Sequence, residues 1–300
     1  MFKKTMKKLA CGVLAVASVV ACAGTFTACE TSNPEVKMQI EFNGETYNLN
    51  YKLYRKIAPT TVEHFLYLAD NGYYDGLCVH DYDADNLKMY TGGYSVATDE
   101  TDTDGLVYKS YYDAIAAFDN YGKFPMSVWR NEDKKNPTYT LYGEFKNNNF
   151  EVKNGALKES FGSLTMYYHD IASYAASENT VYVSRADGNT ELASRQYKYN
   201  SATSLFYISM LDGEQENQGY CTFATLKSGS VKVLEDLQGD IKAYIEANYT
   251  DTTDDEDDFT TLRSVRVNTD DPFVGENTIN KSFHVPNAPI VIKKVEVKKF

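Results

Sequence analysis

Apolar and polar positions alternate with a period of two from Met38 through Ile40 to Phe42, the pattern of a strand with one buried face. Asn43-Gly44 follows, a two-residue turn signal, so Lys37 to Asn50 reads as a hairpin of two short strands. The period then lengthens. Pro59-Thr60-Thr61-Val62-Glu63 opens a helix that Thr60 or Thr61 can cap, with Val62, Phe65, Leu66 and Leu68 as its apolar face and Asn71-Gly72 as its stop. Gly92 to Pro137 is long, polar and tyrosine-rich, with one helical piece at Tyr111 to Phe118. Strand-like runs return at Tyr139–Phe145, Gly162–Tyr168, Leu205–Met210 and Cys221–Leu226. Val233, Leu234, Leu237, Ile241, Tyr244 and Ile245 mark a second amphipathic helix over Val231–Asn248, and Pro289 to Val297 closes the chain as an alternating strand. No tandem repeat and no clean linker divides it. Many short strands with two helices predict a single, mainly β domain built as a closed barrel.

The start of the chain has a different pattern. Lys3, Lys4, Lys7 and Lys8 precede an uncharged apolar run from Leu9 to Cys22, which reads as a secretory signal rather than a spanning helix. Phe26-Thr27-Ala28-Cys29 resembles the end of a bacterial lipoprotein signal, in which the cysteine thiol takes the lipid. Val19-Val20-Ala21-Cys22 fits the same pattern and is the alternative. The expected organisation is therefore a signal over 1–29, a tether over 30–35 and a domain over 36–300. The expected location is the extracytoplasmic face of a bacterial cell membrane, lipid-anchored through Cys29.

Composition narrows the partners. The 300 residues carry a net charge of −12, which repels phosphate backbones and argues against nucleic acid. The 25 tyrosines suit half-buried strands and the rims of peptide grooves, where the ring packs while its hydroxyl stays wet. Metal and cofactor signals are weak. Glu100-Thr101-Asp102-Thr103-Asp104-Gly105 starts like a calcium loop but has Tyr111 where the bidentate glutamate belongs. Asp251 to Asp258 reads as a solvated acidic loop, and His64, His80, His169 and His284 lack zinc spacing. No metal and no cofactor is expected. Cys78 and Cys221 are the cysteines outside the leader, and a disulfide between them is left open.

Several segments, in order, resemble cyclophilin-type peptidyl-prolyl cis-trans isomerases. Ala58 to Leu66 is similar to the family's APKTVENFL helix, Gly72-Tyr73-Tyr74-Asp75-Gly76 follows, and then come Val79-His80 and Gly92-Gly93. Gly143-Glu144-Phe145 and Gly162 to Met166 resemble bacterial members, and Asn200 to Ile208 is close to the family's NSATSQFFI strand. Tyr220 to Ala224 and the closing strand complete a likeness over about residues 36–300. The resemblance implies a closed eight-stranded antiparallel β-barrel capped by two α-helices, with loop insertions near 95–136, 168–198 and 240–285. It also implies a monomer that binds proline-containing polypeptides in an outer groove and isomerises X-Pro bonds of envelope or secreted proteins.

The site residues depart from the family. Asp81 occupies the position of the family's arginine donor, and a carboxylate cannot donate. Carried over residue by residue, the groove candidates are His80, Met89, Thr91, Leu205, Tyr207 and Tyr220, and the pocket tryptophan has no counterpart because Trp129 lies upstream. Two readings stay open. Arg130, Arg185 or Arg195 supplies the missing cation and the chain is an isomerase, or the activity is weak or lost and the chain is a catalytically inactive peptide- or protein-binding surface lipoprotein. The anchor is testable by itself. Cys29→Ser should release the protein from membranes or leave it unprocessed, as read by fractionation and lipid labelling, and retention of the lipid would assign Cys22 instead.

Overall fold

Burial follows the alternation at the start of the domain. Val36, Met38, Ile40 and Phe42 are all within 1% of full burial, on strand β1 (Glu35–Phe42). The turn after it has positive φ at both central residues, 46° at Asn43 and 83° at Gly44, as a twisted two-residue hairpin requires, and β2 (Glu45–Leu53) returns. The computed structural model describes residues 33–98, 105–150, 156–168, 180–184, 191–249, 259–268 and 278–299. The leader, the tether through residue 32, Glu100 to Asp104, the acidic loop Asp251 to Asp258, His169 and Arg185 lie outside those residues.

Short strands dominate the rest. They are β3 (Leu77–Cys78), β4 (Asp81–Asp83), β5 (Lys88–Thr91), β6 (Tyr94–Val96), β7 (Leu106–Tyr108) and β8 (Val128–Trp129). Next come β9 (Glu159–Ser160), β10 (Leu164–Met166), β11 (Thr180–Val183), β12 (Ala193–Gln196), β13 (Phe206–Ser209) and β14 (Glu214–Gln215). The last are β15 (Cys221–Leu226), β16 (Thr260–Asn268), β17 (Thr278–Pro286) and β18 (Ile290–Lys299). Nine of them form one sheet in the order β3-β18-β1-β2-β15-β10-β13-β5-β4. Every pairing in it is antiparallel, and β18 shares the sheet with β13 as the closing alternation predicts. The count differs from the expected eight because the segment Leu77–Asp83 is interrupted at Val79 and His80. Its first half pairs with β18 and its second half with β5. At the interruption Val79 N–H donates to Ile290 O and His80 N–H to Tyr90 O.

Two expectations fail locally. Tyr139–Phe145 is not a strand but carries an isolated bridge from Leu141 to Ala202. Tyr139 has φ of 58°, and the Thr138 and Thr140 hydroxyls bond each other at 2.6 Å, so the local polar groups bend the chain out of a ladder. Helix α1 (Pro59–Asp70) buries Val62, Phe65, Leu66 and Leu68 as expected, together with Ala69, and Pro59 occupies its first turn. Its cap, however, is neither Thr60 nor Thr61. The N-cap is Ala58, without a side-chain bond, and the carboxylate of Glu144 caps the helix from afar. Its oxygens accept from Thr60 N–H at 3.0 Å, Thr61 N–H at 2.8 Å and the Thr61 hydroxyl at 2.8 Å. The bend at Leu141 and the glycine at 143 deliver that carboxylate, since a Cβ on Gly143 would lie 2.1 Å from Tyr199 O.

The core is aromatic. Phe65 contacts Tyr74, Phe223 and Phe206 at ring-centroid distances of 4.9, 5.0 and 5.5 Å, so α1, the turn that follows it and two strands of the sheet meet on one ring. Such pairs add about 0.5–1.5 kcal/mol each beyond area burial. Leu66, Ile208 and Phe223 are buried in the same cluster. Helix α2 (Tyr111–Ala116) seats Tyr111 and Ile115 there, and α3 (Ser228–Asn248) adds Leu234, Leu237 and Ile241. The Ser230 hydroxyl fixes α3 to β2 by accepting from Asn50 N–H at 2.9 Å. Two smaller cores lie outside the main one. One joins β6–β7 to the β16–β17 hairpin, and the other underlies the sheet β12-β11-β8, which carries Arg195 and abuts Arg130.

Glu144 sets a pH dependence. Burial pushes its carboxyl up to about 7, against the lowering effect of the Thr61 and Thr60 donors. The folded value lies above the ordinary 4.5, so its contribution to stability is complete below pH 4.5 and is lost as pH rises through about 7. The urea midpoint should therefore fall between about pH 5 and 7.5, and Glu144→Gln should flatten that slope. Glu144→Ala, which strands the α1 donors, should cost about 2–3 kcal/mol.

Candidate functional site

Phe206 and Ile208 fill the core, so the pleat turns Tyr207 to the opposite face of the sheet. Register then builds a row across five strands. Tyr207 lies opposite Tyr90 on β5 and Thr165 on β10, Tyr90 opposite Asp81 on β4, and Thr165 opposite Thr222 on β15. The two threonine hydroxyls bond at 2.9 Å. Further tyrosines extend the face. Tyr90 meets Tyr207 at 5.3 Å and Tyr167 at 5.1 Å, while Tyr220 meets Tyr167 at 5.6 Å, Tyr168 at 4.9 Å and Tyr207 at 6.3 Å. Beside Tyr220 a cleft of about 470 Å³ opens, lined by Phe145, Asn217, Thr222 and the carboxylate-bearing Glu144 among others.

A buried polar group holds this face in place. The Tyr207 hydroxyl donates to Glu159 Oε2 at 3.0 Å, and Asn217 Nδ2 donates to both, each at 2.8 Å. Asn217 Oδ1 accepts from Tyr220 N–H at 3.0 Å, so one network orients both rings. Burial, with the Glu159 charge, raises the Tyr207 hydroxyl far above its ordinary range, so it remains a donor. Two ammonium groups lie over the rings. Lys88 Nζ is 4.7 Å from the Tyr207 centroid, and Lys281 Nζ is 6.0 Å from that of Tyr167.

Asp81 is used as an acceptor. Its carboxylate takes a hydrogen bond from the backbone N–H of His284 on β17 at 2.9 Å, with His284 Nδ1 at 3.5 Å. Burial raises the Asp81 carboxyl, partly offset by that bond. His80 is buried between Tyr94 and Phe283, with centroids at 4.7 and 5.0 Å. Burial, assisted by the charge of Lys281, pushes it down to about 3, so it is neutral. Met89 and Thr91 are fully buried on the core side, where the Thr91 hydroxyl donates to Cys78 O. Of the six groove candidates the structure brings Leu205, Tyr207 and Tyr220 to one face, and it places His80, Met89 and Thr91 elsewhere.

Sequence reasoning missed Tyr90, Tyr167, Tyr168, Glu159 and Lys281. The signal for Tyr90 was present, since a strand that buries Met89 must turn its neighbour outward. The partnership of Glu159 and Lys281 with the face has no local signature. Cys78 and Cys221 are free thiols in separate clusters, so the disulfide left open is not formed. Among the described residues no group of three or more His, Cys, Asp or Glu could hold a metal ion, and no helix is long and apolar enough to cross a membrane.

Residues 37–263 match the family model for cyclophilin type peptidyl-prolyl cis-trans isomerases. Among curated proteins the chain is 34% identical over 105 residues to one of Staphylococcus haemolyticus provisionally named a peptidyl-prolyl cis-trans isomerase. It is 33% identical over the same length to a like-named protein of Staphylococcus aureus. These matches cover 33% of this chain and 48% of each relative, so the chain spans about half the length of the curated relatives it matches. A crystal structure of a Cryptosporidium parvum cyclophilin type isomerase covers 89% of this chain and 99% of its own, at 15% identity and a TM-score of 0.42. A structure of the same isomerase in the presence of the dipeptide Ala-Pro gives 16% identity and a TM-score of 0.41.

The network under the face predicts a stability effect. Tyr207→Phe removes a donor from buried Glu159 and should lower unfolding free energy by about 1–3 kcal/mol in urea titrations. An unchanged midpoint would mean that Glu159 is satisfied without Tyr207.

Proposed function

Because the chain belongs to the cyclophilin-type peptidyl-prolyl cis-trans isomerase family, we propose that it binds proline-containing polypeptides on its tyrosine face and isomerises the X-Pro bond. The observation that carries this reading is the cluster of partly exposed Tyr90, Tyr167 and Tyr220 packed around the buried Tyr207 ring. Flat aromatic faces receive a pyrrolidine ring and an extended backbone at small entropic cost, and rim hydroxyls bond the peptide groups. The reaction makes and breaks no covalent bond. Its barrier of about 18–20 kcal/mol is lost amide resonance, so rate comes from holding the twisted amide better than either planar form.

A second reading is a peptide-binding module without catalysis. It is favoured by Asp81, which stands at the family's donor position and is engaged by His284. Finer points belong to the same proposal. A barrel closed through the Val79–His80 junction is supported by the two strands that this one segment meets. Export and lipid anchoring at Cys29 on the outer face of a bacterial membrane are supported by the basic, then apolar, then Ala28-Cys29 pattern. Nascent exported proteins crossing there present slow X-Pro steps.

Two-dimensional exchange NMR on a proline tetrapeptide tests the reading. The full chain should accelerate cis-trans exchange, and Tyr220→Ala should weaken peptide binding about tenfold, the equivalent of 1.4 kcal/mol. Binding without acceleration would establish the second reading. Absence of both would remove the tyrosine face from the function.

A further inference from the structure

The tyrosine face has its polar anchor on one side and an insertion hairpin on the other. Strand β17 turns Lys281, Phe283 and Val285 to one side, by the period of two. Phe283 and Val285 are buried there with Cys78, Tyr94, Leu106 and Val265. That small core and the bond from His284 N–H to Asp81 fix the hairpin against β4. Lys281, three residues before His284, is thereby carried onto the face. Its Nζ lies over Tyr167, and its charge is felt at His80, the neighbour of Asp81. Tyr167 N–H in turn donates to Leu205 O, so this cation stands at the Leu205 end of the row. Lys88 approaches differently, with its ammonium over the buried Tyr207 ring.

We propose that Lys281, delivered by the β16–β17 hairpin, is the donor to the prolyl nitrogen in the twisted-amide transition state, and that Asp81 is the positioning residue that docks its hairpin. The proposal rests on the isomerase reading above. Twisting ends resonance and localises the lone pair on the prolyl nitrogen, so a bond to it exists only at the barrier top. An ammonium on a flexible four-carbon stem can reach that lone pair and release it when planarity returns, with no proton transferred. The chain thus has an acceptor where relatives carry a donor, because the acceptor holds the segment that brings the donor.

The experiment is the exchange assay on the full chain with Lys281→Met, Lys281→Arg and Asp81→Ala. Lys281→Met keeps the apolar stem and should lower kcat by about 100-fold or more while leaving KM within about twofold, as expected for a group that acts only at the transition state. Lys281→Arg should recover most of kcat. Asp81→Ala should lower kcat and also expose the His284 amide to rapid hydrogen exchange. If wild type isomerises and Lys281→Met does so equally fast, the proposal is overturned while the isomerase reading stands. If Lys281→Met loses KM and kcat together and arginine does not rescue, Lys281 is structural and the proposal is again overturned. If wild type binds the peptide without isomerising it, the isomerase reading falls and takes this proposal with it.

Discussion

The pleat of β13 fixes most of what this protein can do. Phe206 and Ile208 must face the core, because each contributes a large apolar side chain to a cluster centred on Phe65. Burying a side chain of that size stabilises by about 1.5–3 kcal/mol, and a one-residue slip would move both out of that cluster to the face of Tyr207. Tyr207 is therefore committed to the other face, together with the residues that register places opposite it. The core and the tyrosine face are two sides of one constraint, and neither can be changed independently of the other.

Buried polar groups connect the parts that the sheet does not. Glu144 binds a segment of irregular backbone to the first turn of α1, and Glu159 binds β9 to Tyr207 and Asn217. A carboxylate in such surroundings is costly unless its oxygens are used: both Glu144 oxygens accept from α1, and Glu159 Oε2 takes two donors while its Oε1 is buried without a partner. The rings of the face meet edge-on, tilted and stacked, and Tyr207 and Tyr220 are tied to each other through Asn217.

The β16–β17 hairpin docks against β4, at one end of the nine-stranded order. Asp81 anchors that docking, since its carboxylate accepts a backbone N–H from β17. The hairpin and β6–β7 bring their own small core, so their docking is supported by apolar burial as well as by one charged bond. His80 packs against that core between Tyr94 and Phe283, where burial keeps it neutral.

What the sequence by itself determined is local and periodic. The β1–β2 hairpin, α1, α3, the strands around Phe206 and Cys221, and the burial of Phe65, Leu66, Phe206, Ile208 and Phe223 all follow from spacing of apolar residues and from turn chemistry. So did the family likeness, which rests on short motifs. Tertiary structure alone decided which carboxylate caps α1, because Glu144 and Thr61 are 83 residues apart and a Thr at the helix start is the cheaper local guess. It also decided that Met89 and Thr91 point inward while Tyr90 points outward, since a motif names positions but only register assigns faces. The approach of Lys281 to Tyr167 could not be read at all. It depends on two hairpins far apart in sequence sharing one apolar seam, and hydrophobic pattern states that a face will be covered without stating by what.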